Sequence, residues 1–305
     1  MKKAAYRIKG RLLAITAVVS LAGCVRYEDG KTAFQSGDYS TAFSKWQLLA
    51  KYGDAKAQNE LGWLYQNGFG TDPDPTLAVY WYQKSAAQGL AVAQTNLGIM
   101  FNDGLGVPQN FREAAKLFER AARQRDAAAL NNLGVLYDKG QGVPEDNKKS
   151  VDLLRQAAEL GHARAMSNLG LMYKSGEGVP QDAVAAIRWF KASATNGDRE
   201  GINNLAVMFD QGLGTPKNTA EALRLFEKAA RAGEPAAALN LALMLQREPS
   251  PQGADSLVKS YAWLNFAASR GYPDASRHRA ELASRLSDAQ IALAQRLSSD
   301  LASQM

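Results

Sequence analysis

Apolar and polar positions in this chain follow a helical spacing that returns every 36 residues. Leu61, Leu97, Leu133, Leu169, Leu205 and Leu241 mark the repeat. Four positions after each comes Tyr65, Phe101, Tyr137, Tyr173, Phe209 or Leu245, which places the pair on one helical face. The residue directly after each leucine is small: Gly62, Gly98, Gly134, Gly170, Ala206 and Ala242. The first five units then carry two glycines one residue apart, from Gly68 and Gly70 to Gly212 and Gly214. Such a pair stops a helix and lets the chain reverse at positive φ. A second helix is predicted behind Asp38, Asp74, Asn110, Asp146, Asp182 and Asn218, side chains that suit an N-cap. Glu113 and Glu221, three residues after Asn110 and Asn218, predict reciprocal capping boxes. Each second helix carries one large residue, Trp46, Tyr82, Phe118, Leu154, Phe190 or Phe226, and most end at a glycine. Arg125 alone breaks that terminal column of Gly53, Gly89, Gly161, Gly197 and Gly233.

Each unit therefore reads as two antiparallel helices, near 54–67 and 74–88 in the first complete one. A lone hairpin cannot bury both apolar faces, so neighbours must stack, and an all-α solenoid wound as a right-handed superhelix is expected. The pattern closely resembles the Sel-one-like repeat family, relatives of the tetratricopeptide repeats. The best copies run from Ala91 to Pro108 and from Ala163 to Gly197, with Val179-Pro180, Asp182 and Trp189 in the family's places. The expected organisation is a leader over 1–23, half a repeat over 24–53, six repeats over 54–271 and capping helices over 272–305. The sixth repeat departs from the pattern in Arg247–Ser256, where both hinge glycines are lost and two residues are gained. Beyond it, a helix near 274–285 precedes a helix capped by Ser287 with Gln290, whose apolar series is Ile291, Leu293, Ala294, Leu297 and Leu301. A stack needs such a cap because its last face is otherwise apolar and wet.

Residues 12–23 form an apolar run behind Lys2, Lys3, Arg7, Lys9 and Arg11, and it is shorter than the roughly 20 residues that span a bilayer as a helix. It reads as an export signal. Its end, Leu21-Ala22-Gly23-Cys24, resembles the lipobox of bacterial lipoproteins, in which the cysteine thiol accepts a diacylglycerol. That resemblance implies lipidation of Cys24 and membrane attachment through acyl chains. Val25 and Arg26 follow Cys24 where an Asp tends to retain such lipoproteins in the inner membrane, so the resemblance favours the outer membrane, facing the periplasm.

Composition narrows the function. Lys and Arg total 36 against 30 Asp and Glu; without the five leader cations the balance is 31 against 30. The basic character belongs to the leader, and no nucleic-acid partner is expected. One cysteine and two histidines supply no disulfide and no metal site, although some members of the resembled family staple each unit with a disulfide. No catalytic motif is present, and Gly104-Leu-Gly106 and its counterparts follow helices and lack a phosphate-loop lysine. His162, at a turn, and His278, in the capping region, read as surface residues, as do Lys148, Lys149, Arg120 and Arg123. No cofactor and no catalysis are expected.

One column carries candidate binding chemistry. The residue before each repeat leucine is Asn96, Asn132, Asn168, Asn204 or Asn240, and three positions later come Trp63, Ile99, Val135, Leu171, Val207 and Leu243. This face is distinct from the one carrying the leucine and the aromatic. In the related tetratricopeptide stacks the first helix lines the concave side. On that resemblance Asn96, Asn132, Asn168, Asn204 and Asn240, with Trp63, Ile99, Val135, Leu171 and Val207, line a groove for a protein or extended peptide of the cell envelope. The same amides could instead bond the neighbouring hairpin, with the stripe as inter-repeat core. A lipid-anchored adaptor is the leading expectation. An envelope enzyme acting on peptidoglycan or β-lactams, an activity attributed to cysteine-rich relatives, and a purely structural spacer are the alternatives.

Overall fold

The computed structural model describes residues 25–247 and 253–303. The leader, Cys24 and part of the irregular stretch after Arg247 lie outside the described residues. Within them are sixteen α-helices and no strand, in two compact units that divide after Asp146.

The first unit holds α1 (Tyr27–Gln35), α2 (Tyr39–Lys51), α3 (Ala55–Asn67), α4 (Pro75–Ala87), α5 (Ala91–Asp103), α6 (Phe111–Ala122) and α7 (Ala127–Lys139). The second holds α8 (Asn147–Glu159), α9 (Ala163–Ser175), α10 (Ala183–Thr195), α11 (Arg199–Gln211), α12 (Thr219–Arg231), α13 (Pro235–Arg247), α14 (Gly253–Ser269), α15 (Ala275–Ala283) and α16 (Asp288–Ser303). Within each unit helices pack chiefly on their sequence neighbours; α9 also touches α11, α11 touches α13, and α16 folds back on α14. That is the nearest-neighbour order of a helical solenoid. The segment ahead of Asp54, expected as half a repeat, forms the helix pair α1 and α2. Gly30 of α1 lies under the Trp46 ring, whose indole N–H donates to the Tyr27 carbonyl at 3.2 Å.

In three repeats the glycine after the leucine is explained by its contact. A Cβ added to Gly62 would lie 2.8 Å from the Tyr82 ring, to Gly98 2.5 Å from Phe118, and to Gly170 2.6 Å from Phe190. The three rings are buried, so glycine here makes room for the largest side chain of the partner helix.

The hinge glycines do two different jobs. Gly68, Gly104, Gly140, Gly176 and Gly212 end the first helices in the left-handed region. The second of each pair packs on the hairpin before it: a Cβ on Gly106 would strike the backbone of Pro75, on Gly142 that of Phe111, on Gly178 that of Asn147, and on Gly214 that of Ala183.

The expected N-caps at Asp38, Asp74, Asn110, Asp182 and Asn218 accept backbone N–H groups in the first turn. Thr41 holds the Asp38 carboxyl below its ordinary range by donating to it from side chain and backbone. The reciprocal bonds of Glu113 and Glu221 differ from expectation. The backbone N–H of Asn110 is taken by the Phe101 carbonyl at 2.8 Å and that of Asn218 by Phe209 at 2.9 Å. Glu113 pairs instead with Lys116 at 2.7 Å, and Glu221 with Arg224 at 2.6 Å. Bonds from Asp74 to Tyr65, Asp146 to Tyr137 and Asp182 to Tyr173 repeat this hairpin closure at 2.8 to 2.9 Å.

Two residues read as surface also make structural bonds, and one member of the apolar series faces solvent. Arg120 donates to the Ala86 carbonyl at 3.2 Å and joins consecutive hairpins. His162 caps α9, its Nδ1 accepting from the Ala165 N–H at 3.1 Å. Leu293, counted with the apolar series of α16, is exposed, whereas Ala294 is buried.

Candidate functional site

In each unit the candidate surface is the set of first-helix faces that carry the asparagines, Asn96 and Asn132 in the first and Asn168, Asn204 and Asn240 in the second. Asn96, Asn132, Asn168, Asn204 and Asn240 are all half-buried, between sealed and fully exposed. Their partners show why. Asn96 Nδ2 of α5 donates to Asn59 Oδ1 of α3 at 3.0 Å. In the second unit, Asn204 Nδ2 donates to Ser167 Oγ at 3.2 Å, and Asn240 Nδ2 to Asn203 Oδ1 at 3.0 Å. The acceptors Asn59, Ser167 and Asn203 are buried, so each bond satisfies a polar group that burial would otherwise penalise. An asparagine amide has two N–H donors and a carbonyl with two lone pairs. One N–H per residue is fixed on the preceding repeat, which orients the amide and leaves its carbonyl directed away from that bond. Asn132 differs: its Oδ1 accepts from Asn131 at 3.3 Å.

The apolar members diverge. Leu171 is 40% exposed, and Ile99, Val135, Val207 and Leu243 are half-buried. Trp63 serves mainly as core. It stacks on Phe69 with centroids 5.2 Å apart and meets Phe34 edge-on at 5.4 Å. Beside it Glu60, which replaces asparagine in the first repeat, accepts from the Tyr27 hydroxyl at 3.0 Å. Burial, with the Glu60 charge second, pushes the Tyr27 phenol well above its ordinary range.

The second unit holds a cleft of about 400 Å³ between α11 and α13. Val207 and Asn240 line it with Leu243, Asp210, Gln211 and Arg247. Arg247 reaches back to Asp210 at 3.3 Å, and Arg164 meets Glu200 at 2.8 Å one repeat earlier. Both pairs link consecutive first helices, at separations of 37 and 36 residues. Ion pairs near the surface are worth up to about 1 kcal/mol, so the main effect of the Arg247–Asp210 pair is to leave the cleft wall close to neutral. Sequence reading did not single out Asp210 and Arg247; opposite charges one repeat apart on the same face were the available signal. The cleft therefore offers an oriented amide, an apolar strip and neutralised charges, a combination that suits a polypeptide backbone and its side chains.

The half-buried His278 of α15 has its Nδ1 3.4 Å from the Glu281 carboxylate. Among the described residues no group of three or more His, Cys, Asp or Glu side chains is placed to hold a metal ion, and no helix is long and apolar enough to cross a membrane.

A family model described as the Sel1 repeat matches residues 55–90, 91–126, 127–162, 163–198, 199–234 and 235–272. Among solved structures, the Sel1 repeat protein from Oxalobacter formigenes is 31% identical with a TM-score of 0.71, over 79% of this chain and 96% of that one. A protective antigen present in uropathogenic Escherichia coli strains and displaying an SLR fold is 26% identical, with a TM-score of 0.64, over 95% of this chain and 71% of that one. No curated protein matches the chain.

Proposed function

The chain belongs to the Sel1 repeat family, and we propose that it is a non-catalytic adaptor that holds an extended segment of another protein on its first-helix faces. The observation that carries this reading is the state of the asparagine column: Asn96, Asn204 and Asn240 are oriented by one inter-repeat bond each and remain half-buried. A purely structural amide in a solenoid tends to be sealed with its partners satisfied. The cleft beside Asn240 and the exposed Leu171 supply the apolar contacts that a bound segment needs. Support for a non-catalytic role lies in how titratable groups are used, His162 and Asp38 as helix caps and Glu200 and Asp210 in ion pairs.

The reading extends to location. The leader and the Leu21–Cys24 sequence support attachment of the mature chain by lipid at Cys24, at the outer membrane facing the periplasm, with an envelope protein or peptide as partner.

Leu171→Glu and Val92→Glu, the latter one turn before Asn96 on α5, test the surface without touching the core, since the two side chains are 40% and 42% exposed. Both variants are expected to keep the wild-type unfolding free energy to within about 0.5 kcal/mol and to lose crosslinked partner in intact cells. Partner recovery at the wild-type level would remove the first-helix face from the account.

A further inference from the structure

A second cavity, unrelated to the asparagine column, lies where the capping helix folds back. On α14 the Trp263-Leu264 pair continues the register of Trp189-Phe190, two residues late. Outward positions that hold the exposed Arg188, Arg224 and Lys228 on α10 and α12 hold Ala262 and Phe266 on α14, only 1% and 2% exposed. Helix α16 covers this face but does not fill it. Between α12, α13, α14 and α16 remains a cavity of about 320 Å³ whose walls include Leu223, Leu245, Trp263, Leu297 and Leu301. That volume is at the lower end of small-molecule sites, roughly 300 to 1,000 Å³.

Three charged side chains stand at its lip: Glu227, Arg231 and Lys259. Glu227 and Arg231 neutralise each other at 2.9 Å. Lys259, by contrast, has no ion-pair partner among the described residues, so the cavity presents one uncompensated positive charge above an apolar interior.

We propose that this cavity binds a fatty-acyl chain, its carboxylate held by Lys259 and its methylenes by the leucines and Trp263. A peptide tail fits less well: its backbone N–H and C=O groups would enter walls formed by apolar side chains, and unpaired polar groups are penalised there. An acyl chain buries no such groups. Its single charge matches the single free charge at the lip.

The test is isothermal titration of the full chain with dodecanoate, kept below the concentration at which it forms micelles, and with dodecanol as the uncharged control. Saturable binding of dodecanoate at one site is expected, about ten-fold weaker in Lys259→Gln. Dodecanol should bind wild type and Lys259→Gln equally. Because the charged lip is exposed, Lys259→Gln should fold normally; Leu301→Trp, which fills the interior, should abolish binding of both compounds. No saturable uptake of dodecanoate, or uptake that neither substitution changes, overturns the proposal.

Discussion

Individual residues that break a repeat column carry measurable information, because the other repeats supply their controls. Arg125 adopts φ +62°, the conformation taken by Gly53, Gly89, Gly161 and Gly197 at the same place. An L-residue there costs roughly 1 to 2 kcal/mol, so Arg125→Gly should raise the unfolding free energy by about 1 kcal/mol in urea titration. Ser150 is the second exception. Ala42, Ala78, Ala114, Ala186 and Ala222 occupy its column, all fully buried. The Ser150 hydroxyl is buried without a hydrogen-bond partner. Ser150→Ala should therefore stabilise the chain by about 1 kcal/mol, and a lower denaturation midpoint would contradict that assignment. The column break at Arg125 was visible in the sequence. The unsatisfied hydroxyl of Ser150 was not, since one polar residue in an alanine column looks the same whether or not its hydroxyl finds a partner.

At the scale of elements, helix boundaries were legible because they depend on local chemistry: a capping Asp or Asn, a left-handed glycine, an apolar period. The expected first pair, 54–67 and 74–88, corresponds to α3 and α4 within a residue. Capping boxes failed for a tertiary reason, since the cap N–H groups of Asn110 and Asn218 had already closed the hairpin onto Phe101 and Phe209. Local pattern cannot show that competition. The start of α13 gives a pH prediction. Glu234 is almost fully buried, and desolvation raises its pKa from 4.5 despite the Ala236 N–H that it accepts and Arg199 at 3.4 Å. A carboxyl raised in the folded state contributes stability below its unfolded pKa, and that contribution is lost as pH rises through the folded value. Wild type should therefore gain stability relative to Glu234→Gln between pH 7 and pH 4, as read from paired denaturation curves. A pH-independent difference would show that Glu234 titrates as it does in the unfolded chain.

For the whole molecule, the 36-residue period determined the repeat architecture because every repeat must bury its faces on its neighbours. The binding surface was less legible. Periodicity placed the asparagines on one face but could not separate ligand contact from inter-repeat bonding, and the structure shows the bonds at Asn96, Asn204 and Asn240 while leaving the amides half-buried. Trp63 shared the spacing of that face yet entered an aromatic cluster, because Phe34 and Phe69 arrive from outside its own helix. The central claim, that the first-helix face grips a protein partner, is tested most directly by photo-crosslinking in living cells. A photoreactive side chain placed at Leu171 or Val207 is compared with one at Arg188 or Lys228 on the second helices. A discrete adduct of the same partner from the first pair alone is the predicted result; equal adducts from both pairs, or none from Leu171 and Val207, would contradict it.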